Sequence, residues 1–257
     1  MNIFMNKGLA DGYRSASQRI RLITEGWVAE NLYCIRCGNP RLEHFPNNQP
    51  VADFYCPHCH SEFELKSHKE NFGRIIADGS YETMLKRLHS NENPDLLALE
   101  YQKTNYRVNN LWAVPKYFFT PDIIEKRKPL SERAQRAGWT GCNIVWSDIP
   151  NAGKIALVRE GHIVDARTIR KQIVNAERLN KSNMGLRGWL MDVLRCVDKL
   201  NQEEFTLADM YSFTTVLQEK YAANHNIQAK IRQQLQFLRD QGYIQFLGNG
   251  RYRKIPM

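Results

Sequence analysis

Residues 50–66 read PVADFYCPHCHSEFELK, and the rest of the chain is understood from this stretch outward. Residues 51–55 and 62–67 carry the apolar and aromatic content of strands, and the Cys56-x-x-Cys59 turn joins them. Strand alternation puts Val51, Asp53 and Tyr55 on one face of the first segment. In the second, Glu62, Glu64 and Lys66 share a face, while Phe63 and Leu65 take the other. A hairpin closed at the cysteine turn therefore sets Asp53 against Glu64 and Lys66. Two carboxylates on adjacent strands suit Mg2+, a hard ion that keeps waters and accepts phosphate oxygens. A lysine beside them orients an attacking water or neutralises developing charge. The same alternation also describes a solvated strand face. Against that stands Asp53, an acid inside the otherwise apolar VADF segment.

A second Cys-x-x-Cys pair, Cys34 and Cys37, lies upstream, with 18 residues between Cys37 and Cys56. That spacing fits a four-cysteine zinc site, and a shell closed by four thiolates is structural rather than catalytic. His44, His58 and His60 are substitutes that four cysteines leave unneeded; an iron–sulfur cluster and coincidence among six cysteines are the other readings. Cys142 and Cys196 have no sequence partner and read as buried thiols.

Around the hairpin, residues 13–33 show Ile20, Ile23, Trp27 and Val28 at helical spacing, with Ser15 or Ser17 as cap. Residues 40–50 read as loop. The pattern predicts a helix over 73–89, carrying Ile75, Ile76, Tyr81, Met84, Leu85 and Leu88, then strands over 96–101, 108–115 and 155–159. Residues 118–139 read as basic and irregular, 167–178 as a helix, and 179–185 as a linker. This order describes a mixed sheet flanked by helices, an α+β or α/β-like arrangement.

Beyond the linker the pattern changes. A helix is expected over 186–200, a second from a capping box of Thr206 and Asp209 toward Ala222, and a third over 226–241. A hairpin about Gly248-Asn249-Gly250 follows. Three helices and a β-wing describe a winged helix-turn-helix. From Lys220 onward there are seven basic residues and one acid, a local charge of +6 that suits phosphate contact. The third helix offers His225, Asn226, Gln228, Lys230, Arg232, Gln233 and Gln234, and the wing offers Arg251 and Arg253. Gln and Asn pair with adenine and Arg with guanine in the major groove, although such side chains also simply solvate a helix.

The whole chain, 257 residues with net charge +9, is long enough for two domains, and its basic balance favours a polyanionic partner. No apolar run approaches membrane-spanning length and no secretory leader is legible, so a soluble cytoplasmic protein is the expectation.

The motifs CxxCGN, NNxPVADFYCxHC, EFELKS, QRAGWTGCN and KIRQQLQxLRD make this chain similar to the DpnI-type methyl-directed restriction endonucleases, over residues 15–256. The resemblance implies an α+β nuclease core of the PD-(D/E)XK type with a four-cysteine zinc site over residues 1–180. A winged-helix DNA-binding domain over 181–257 would follow it. It implies Mg2+-dependent hydrolysis of duplex GATC bearing N6-methyladenine on both strands. Asp53, Glu64 and the Leu65 carbonyl would then hold Mg2+, Lys66 would assist the water, and zinc would sit on Cys34, Cys37, Cys56 and Cys59. Ala52 replaces the proline of the general nuclease motif, at a position that binds no metal. Trp139, in QRAGW, matches the family and offers an apolar surface to a methyl group; a core tryptophan is the alternative. A monomer is the implied state. Two other functions stand beside this one. A zinc-containing winged-helix regulator without catalysis has no reason to keep Asp53, Glu64 and Lys66 together. A structure-selective nuclease has no need of a sequence-reading winged helix.

Overall fold

The computed structural model describes residues 1–46, 52–181 and 183–256. The expected start of the first hairpin strand at Val51 lies outside the described residues, as do Pro50 and Ser182.

The amino-terminal part opens with α1 (Ala16–Asn31), whose Ile23, Trp27 and Val28 are buried. Ser15 takes the N-cap position, but its hydroxyl meets Ser17 instead of a backbone amide. A short strand β1 (Glu43–His44) precedes the hairpin strands β2 (Phe54–Tyr55) and β3 (Glu62–Lys69). Next come β4 (Ile75–Ser80), α2 (Tyr81–Ser90), β5 (Asp95–Tyr101) and β6 (Val108–Val114). The strands β7 (Ile124–Lys126), β8 (Gly141–Val145), β9 (Ile155–Arg159) and β10 (His162–Ile163) lead to α3 (Ala166–Glu177).

Seven strands form the main sheet in the order β1-β2-β3-β5-β6-β9-β10. Among the described residues its one parallel pairing is β3 with β5, which the crossover through β4 and α2 connects. All seven residues of β5 are buried, as its near-continuous apolar run requires of a central strand. Its two acids are satisfied internally. Asp95 takes both arms of Arg36 at 2.7 Å, and Glu100 accepts from the Phe72 amide and Asn110.

A second sheet has the order β4-β8-β7, and here the structure corrects two expectations. The helix anticipated over 73–89 begins only at Tyr81, because residues 75–80 pair as a strand with β8. Ile75 and Ile76 are β-branched, and Ser80 caps α2 by accepting from the Thr83 amide. Residues 118–139, read as irregular, contain β7, and its hairpin with β8 closes through Arg127 N–H to Gly141 C=O at 3.0 Å.

The carboxy-terminal part is α4 (Met184–Lys199), β11 (Glu204–Thr206), α5 (Leu207–Tyr211), α6 (Thr214–Lys220), α7 (Ile227–Asp240), β12 (Ile244–Gly248) and β13 (Arg251–Lys254). Its three strands pair as β11-β13-β12, and the wing turn at Gly248, Asn249 and Gly250 has positive φ throughout. The capping box of Thr206 and Asp209 is formed. The expected second helix is split into α5 and α6, and at the break the Ser212 hydroxyl donates back to the Asp209 carbonyl at 2.6 Å. Ile227, Ile231, Leu235 and Leu238 of α7 face the core.

Candidate active site and DNA interface

The hairpin forms in the expected register. β2 and β3 pair antiparallel with Phe54 opposite Phe63 and Tyr55 opposite Glu62. Both phenylalanines are fully buried, so their strand neighbours on the other face are turned toward a cleft of about 410 Å³. Asp53, Glu64, Leu65 and Lys66 line it together. Asp53 is fixed twice: its amide donates to the Phe63 carbonyl at 2.9 Å, and its Oδ2 accepts from the Leu65 amide at 2.7 Å. The second bond holds the first acid against the backbone of the residue between Glu64 and Lys66.

The cleft also contains residues that the motif leaves out. Arg21 and Glu25 of α1 line it, joined to each other at 2.6 Å, with the Asp53 charge acting on Arg21. Their i,i+4 spacing was visible in the sequence, but nothing there tied α1 to the hairpin. Asp78, on β4, does not line the cleft but reaches Lys66 behind it, and is the larger omission. Lys66 Nζ stands 2.6 Å from Glu64 Oε1 and 2.6 Å from Asp78 Oδ1, and the Asp78 side chain is 4% exposed. Burial pushes the Glu64 carboxyl up to about 8 while Lys66 pulls it down. Burial also works against charge on Asp78 and Lys66, yet attraction prevails: Lys66 holds Asp78 below its ordinary value, and Glu64 with Asp78 holds Lys66 above the ordinary amine range.

The donor set of Asp53 and Glu64 is all carboxylate oxygen, beside an exposed cleft, which fits a hard divalent ion and not a soft one.

The four cysteines assemble as expected. The Sγ atoms of Cys34, Cys37, Cys56 and Cys59 lie within 4.8 Å of one another, with Cys34–Cys59 at 3.6 Å and Cys37–Cys56 at 3.5 Å. Thiolates about 2.3 Å from a tetrahedral zinc stand roughly 3.8 Å apart, so the cluster is compatible with a structural zinc site. Each knuckle folds alike. Gly38 and His60, four residues after the first cysteine of each pair, donate back to Cys34 and Cys56 and have positive φ. His60 takes part in the turn through its backbone, and His44 packs tilted against Phe54 with ring centroids 4.3 Å apart. Arg36, inside the first knuckle, is the residue that grips Asp95, tying the cluster to the main sheet.

On the DNA-facing candidates, Trp139 lies in the β7–β8 loop and is absent from the core. It is half-buried, with the Arg136 guanidinium 4.9 Å from its ring centroid. A Cβ at Gly141 would sit 3.0 Å from the indole, closer than ordinary contact, so glycine there gives the ring room. Trp139 does not line the cleft that holds Asp53. In the carboxy-terminal part, His225, Asn226, Gln228, Arg232 and Gln233 are exposed at the start of α7, with Arg251 and Arg253 exposed on the wing. Lys230 is half-buried and donates to Gln233, Arg232 donates to Tyr211 Oη at 2.6 Å, and Arg253 pairs with Glu204. Gln234 departs from expectation: it is buried, on the helix side of Ile231, Leu235 and Leu238.

An acid–acid–lysine cleft on a sheet, joined to a winged helix with an exposed basic surface, defines a nuclease that carries its own DNA-binding module. The DpnI family model, described as the Dam-replacing family, matches residues 1–182, and the model of its Dam-replacing HTH domain matches residues 185–254. The chain belongs to the Dam-replacing family, whose members are restriction nucleases of the DpnI type. Among the described residues no helix is long and apolar enough to cross a membrane.

Proposed function

We propose that the protein is a methylation-dependent type II restriction endonuclease. It hydrolyses phosphodiester bonds of duplex DNA at GATC sites bearing N6-methyladenine on both strands, using Mg2+. The observation that carries the reading is the convergence of Asp53, Glu64 and Lys66 on one cleft, with Leu65 fastened to Asp53 between them. Asp53, Glu64 and the Leu65 carbonyl hold the divalent ion. Such an ion supplies Lewis acidity toward the phosphate and lowers the pKa of an attacking water. Lys66 orients that water and offers positive charge where the phosphate gains negative charge. Zinc on the four cysteines is structural, since no ligand position is left open.

Target choice belongs to the remainder. Exposed Gln228, Arg232 and Gln233 and half-buried Lys230 on α7, His225 and Asn226 just before it, and Arg251 and Arg253 on the wing supply phosphate contact and groove readout. Trp139, displayed between Arg136 and Gly141, supplies an apolar face to the adenine methyls. The domain boundary is placed at residues 180 and 181, next to the junction of the two family matches. A monomeric, cytoplasmic enzyme completes the proposal.

Digestion of adenine-methylated and unmethylated plasmid with Mg2+ tests it, alongside Asp53→Ala. Discrete fragments from the methylated plasmid alone, lost in the variant, are expected. A mobility shift without cutting, by wild type on either plasmid, would leave a DNA-binding regulator instead.

A further inference from the structure

We propose that Asp78 is a positioning residue for cleavage: it holds the Lys66 ammonium in place from the second sheet, outside the acid–acid–lysine motif. The inference rests on the reading of the cleft as the catalytic site.

Three observations carry it. First, Asp78 is on β4, a strand of the β4-β8-β7 sheet, whereas Glu64 and Lys66 are on β3 of the main sheet. The contact at 2.6 Å therefore bridges two sheets and is not a neighbour effect along one strand. Second, the pairing of β4 with β8 slips between Asp78 and Ser80, and this irregularity breaks the ladder at the residue that reaches Lys66. The aim is secured by the Gly79 amide, which donates to Asp78 Oδ1 at 2.7 Å. Third, the carboxylate is almost fully enclosed, and its partner is the one lysine of the cleft. A buried acid placed on the inward face of a strand is costly unless paired. Here the pairing falls on the group that must be precisely held.

Lysine has a long, freely rotating stem, so a single contact leaves Nζ several positions. Glu64 supplies one anchor at 2.6 Å, but Glu64 is also a ligand of the divalent ion. When its oxygens serve the ion, Asp78 is the anchor that remains. An ammonium displaced by about 1 Å in such a site costs on the order of 10²-fold in rate.

The test is a double-mutant cycle of D78N and K66A in single-turnover cleavage of methylated duplex, with melting temperature measured for each variant. D78N is expected to cleave about 10²-fold more slowly with unchanged affinity for DNA in Ca2+. In the K66A background the same substitution is expected to change the rate less than about threefold, because the group it positions is gone. Undiminished cleavage by D78N, or an equal further loss in the K66A background, overturns the proposal. A second readout needs no metal and no variant. In metal-free wild type, an amine-reactive ester followed by peptide mass spectrometry should label Lys66 far more slowly than exposed Lys69; equal labelling overturns the tether. Should D78N fail to fold, D78E is put through the same cycle, with the same non-additivity expected. Wild type that cuts no DNA at all would sink the assignment of the cleft, and not the contact itself, which the labelling reads independently.

Discussion

Asp53 and Trp139 illustrate how differently two side chains of one domain are fixed. Asp53 has both its amide and its carboxylate committed to β3, so replacing it changes chemistry with little freedom to relax. Asp53→Asn keeps the shape and the Leu65 bond and removes the charge. Cleavage is expected to fall on the order of 10³-fold, since several kcal/mol of metal-borne stabilisation are lost at about 1.4 kcal/mol per factor of ten. Binding of the methylated duplex, followed by fluorescence anisotropy, should stay within about threefold. Trp139 sits outside the core, and this separates two outcomes that the sequence left level. A core tryptophan cut to alanine costs about 3–5 kcal/mol. Trp139→Ala should instead leave the melting temperature nearly unchanged. Its effect should fall on methyl discrimination, by roughly fourfold per methyl at about 0.8 kcal/mol per buried carbon. Retained discrimination in the folded variant would remove Trp139 from the readout.

At the scale of elements, the hairpin is one device with two ends. The cysteine knuckle closes β2 on β3, Arg36 of the partner knuckle grips Asp95 on β5, and the register so fixed puts Asp53 on Leu65. Cys56→Ser should lose bound zinc, read by metal analysis, and with it cleavage, while the full-length variant still binds DNA through its carboxy-terminal part. Full activity in the zinc-free variant would break this coupling. The hairpin and the winged helix were legible in the sequence because their signals are local: paired cysteines, period-two alternation, a capping box, a Gly-Asn-Gly turn. Asp78 was not. Residues 75–80 lead straight into a true helix and share its apolar spacing, so strand and helix merged into one expected element. Only pairing with β8, more than sixty residues away, reveals the strand and the direction of its acid. The short strand β7 was hidden for the same reason, since it is a strand by virtue of its partner. Gln234 shows the limit of reading a helix by composition, because a polar residue among other polar residues gave no sign that it faces inward.

At the scale of the molecule, the two parts are joined by charge. Asp122, beside β7, accepts from Arg195 of α4 at 2.7 Å and from Lys220 of α6 at 2.6 Å, and buried Asp192 pairs with the same two cations. Arg187 to Asn91 and the Asn151 amide to Asp198 add polar bonds across the same junction. Burial alone would raise the Asp122 carboxyl, but Lys220 and Arg195 outweigh it and hold it well below the ordinary range. A depressed folded value contributes stability that is complete above the unfolded pKa, about 3.9, and is lost as pH falls through the folded one. Asp122→Asn should therefore cost about 2 kcal/mol at pH 7, or roughly 4–8 °C in melting temperature. The gap to wild type should start to close as pH drops below about 4; a gap constant with pH would show that Asp122 acts without its charge. On the proposed reading, the joint keeps α7 and the wing attached to the cleft that holds Asp53. The most direct measurement of that division is single-turnover cleavage of two otherwise identical duplexes, one with GATC methylated on both strands and one unmethylated, with Mg2+ and with chelator. Cutting of the methylated duplex alone, and only with Mg2+, is the predicted result. Equal cutting of both duplexes, or cutting that survives the chelator, would contradict the account.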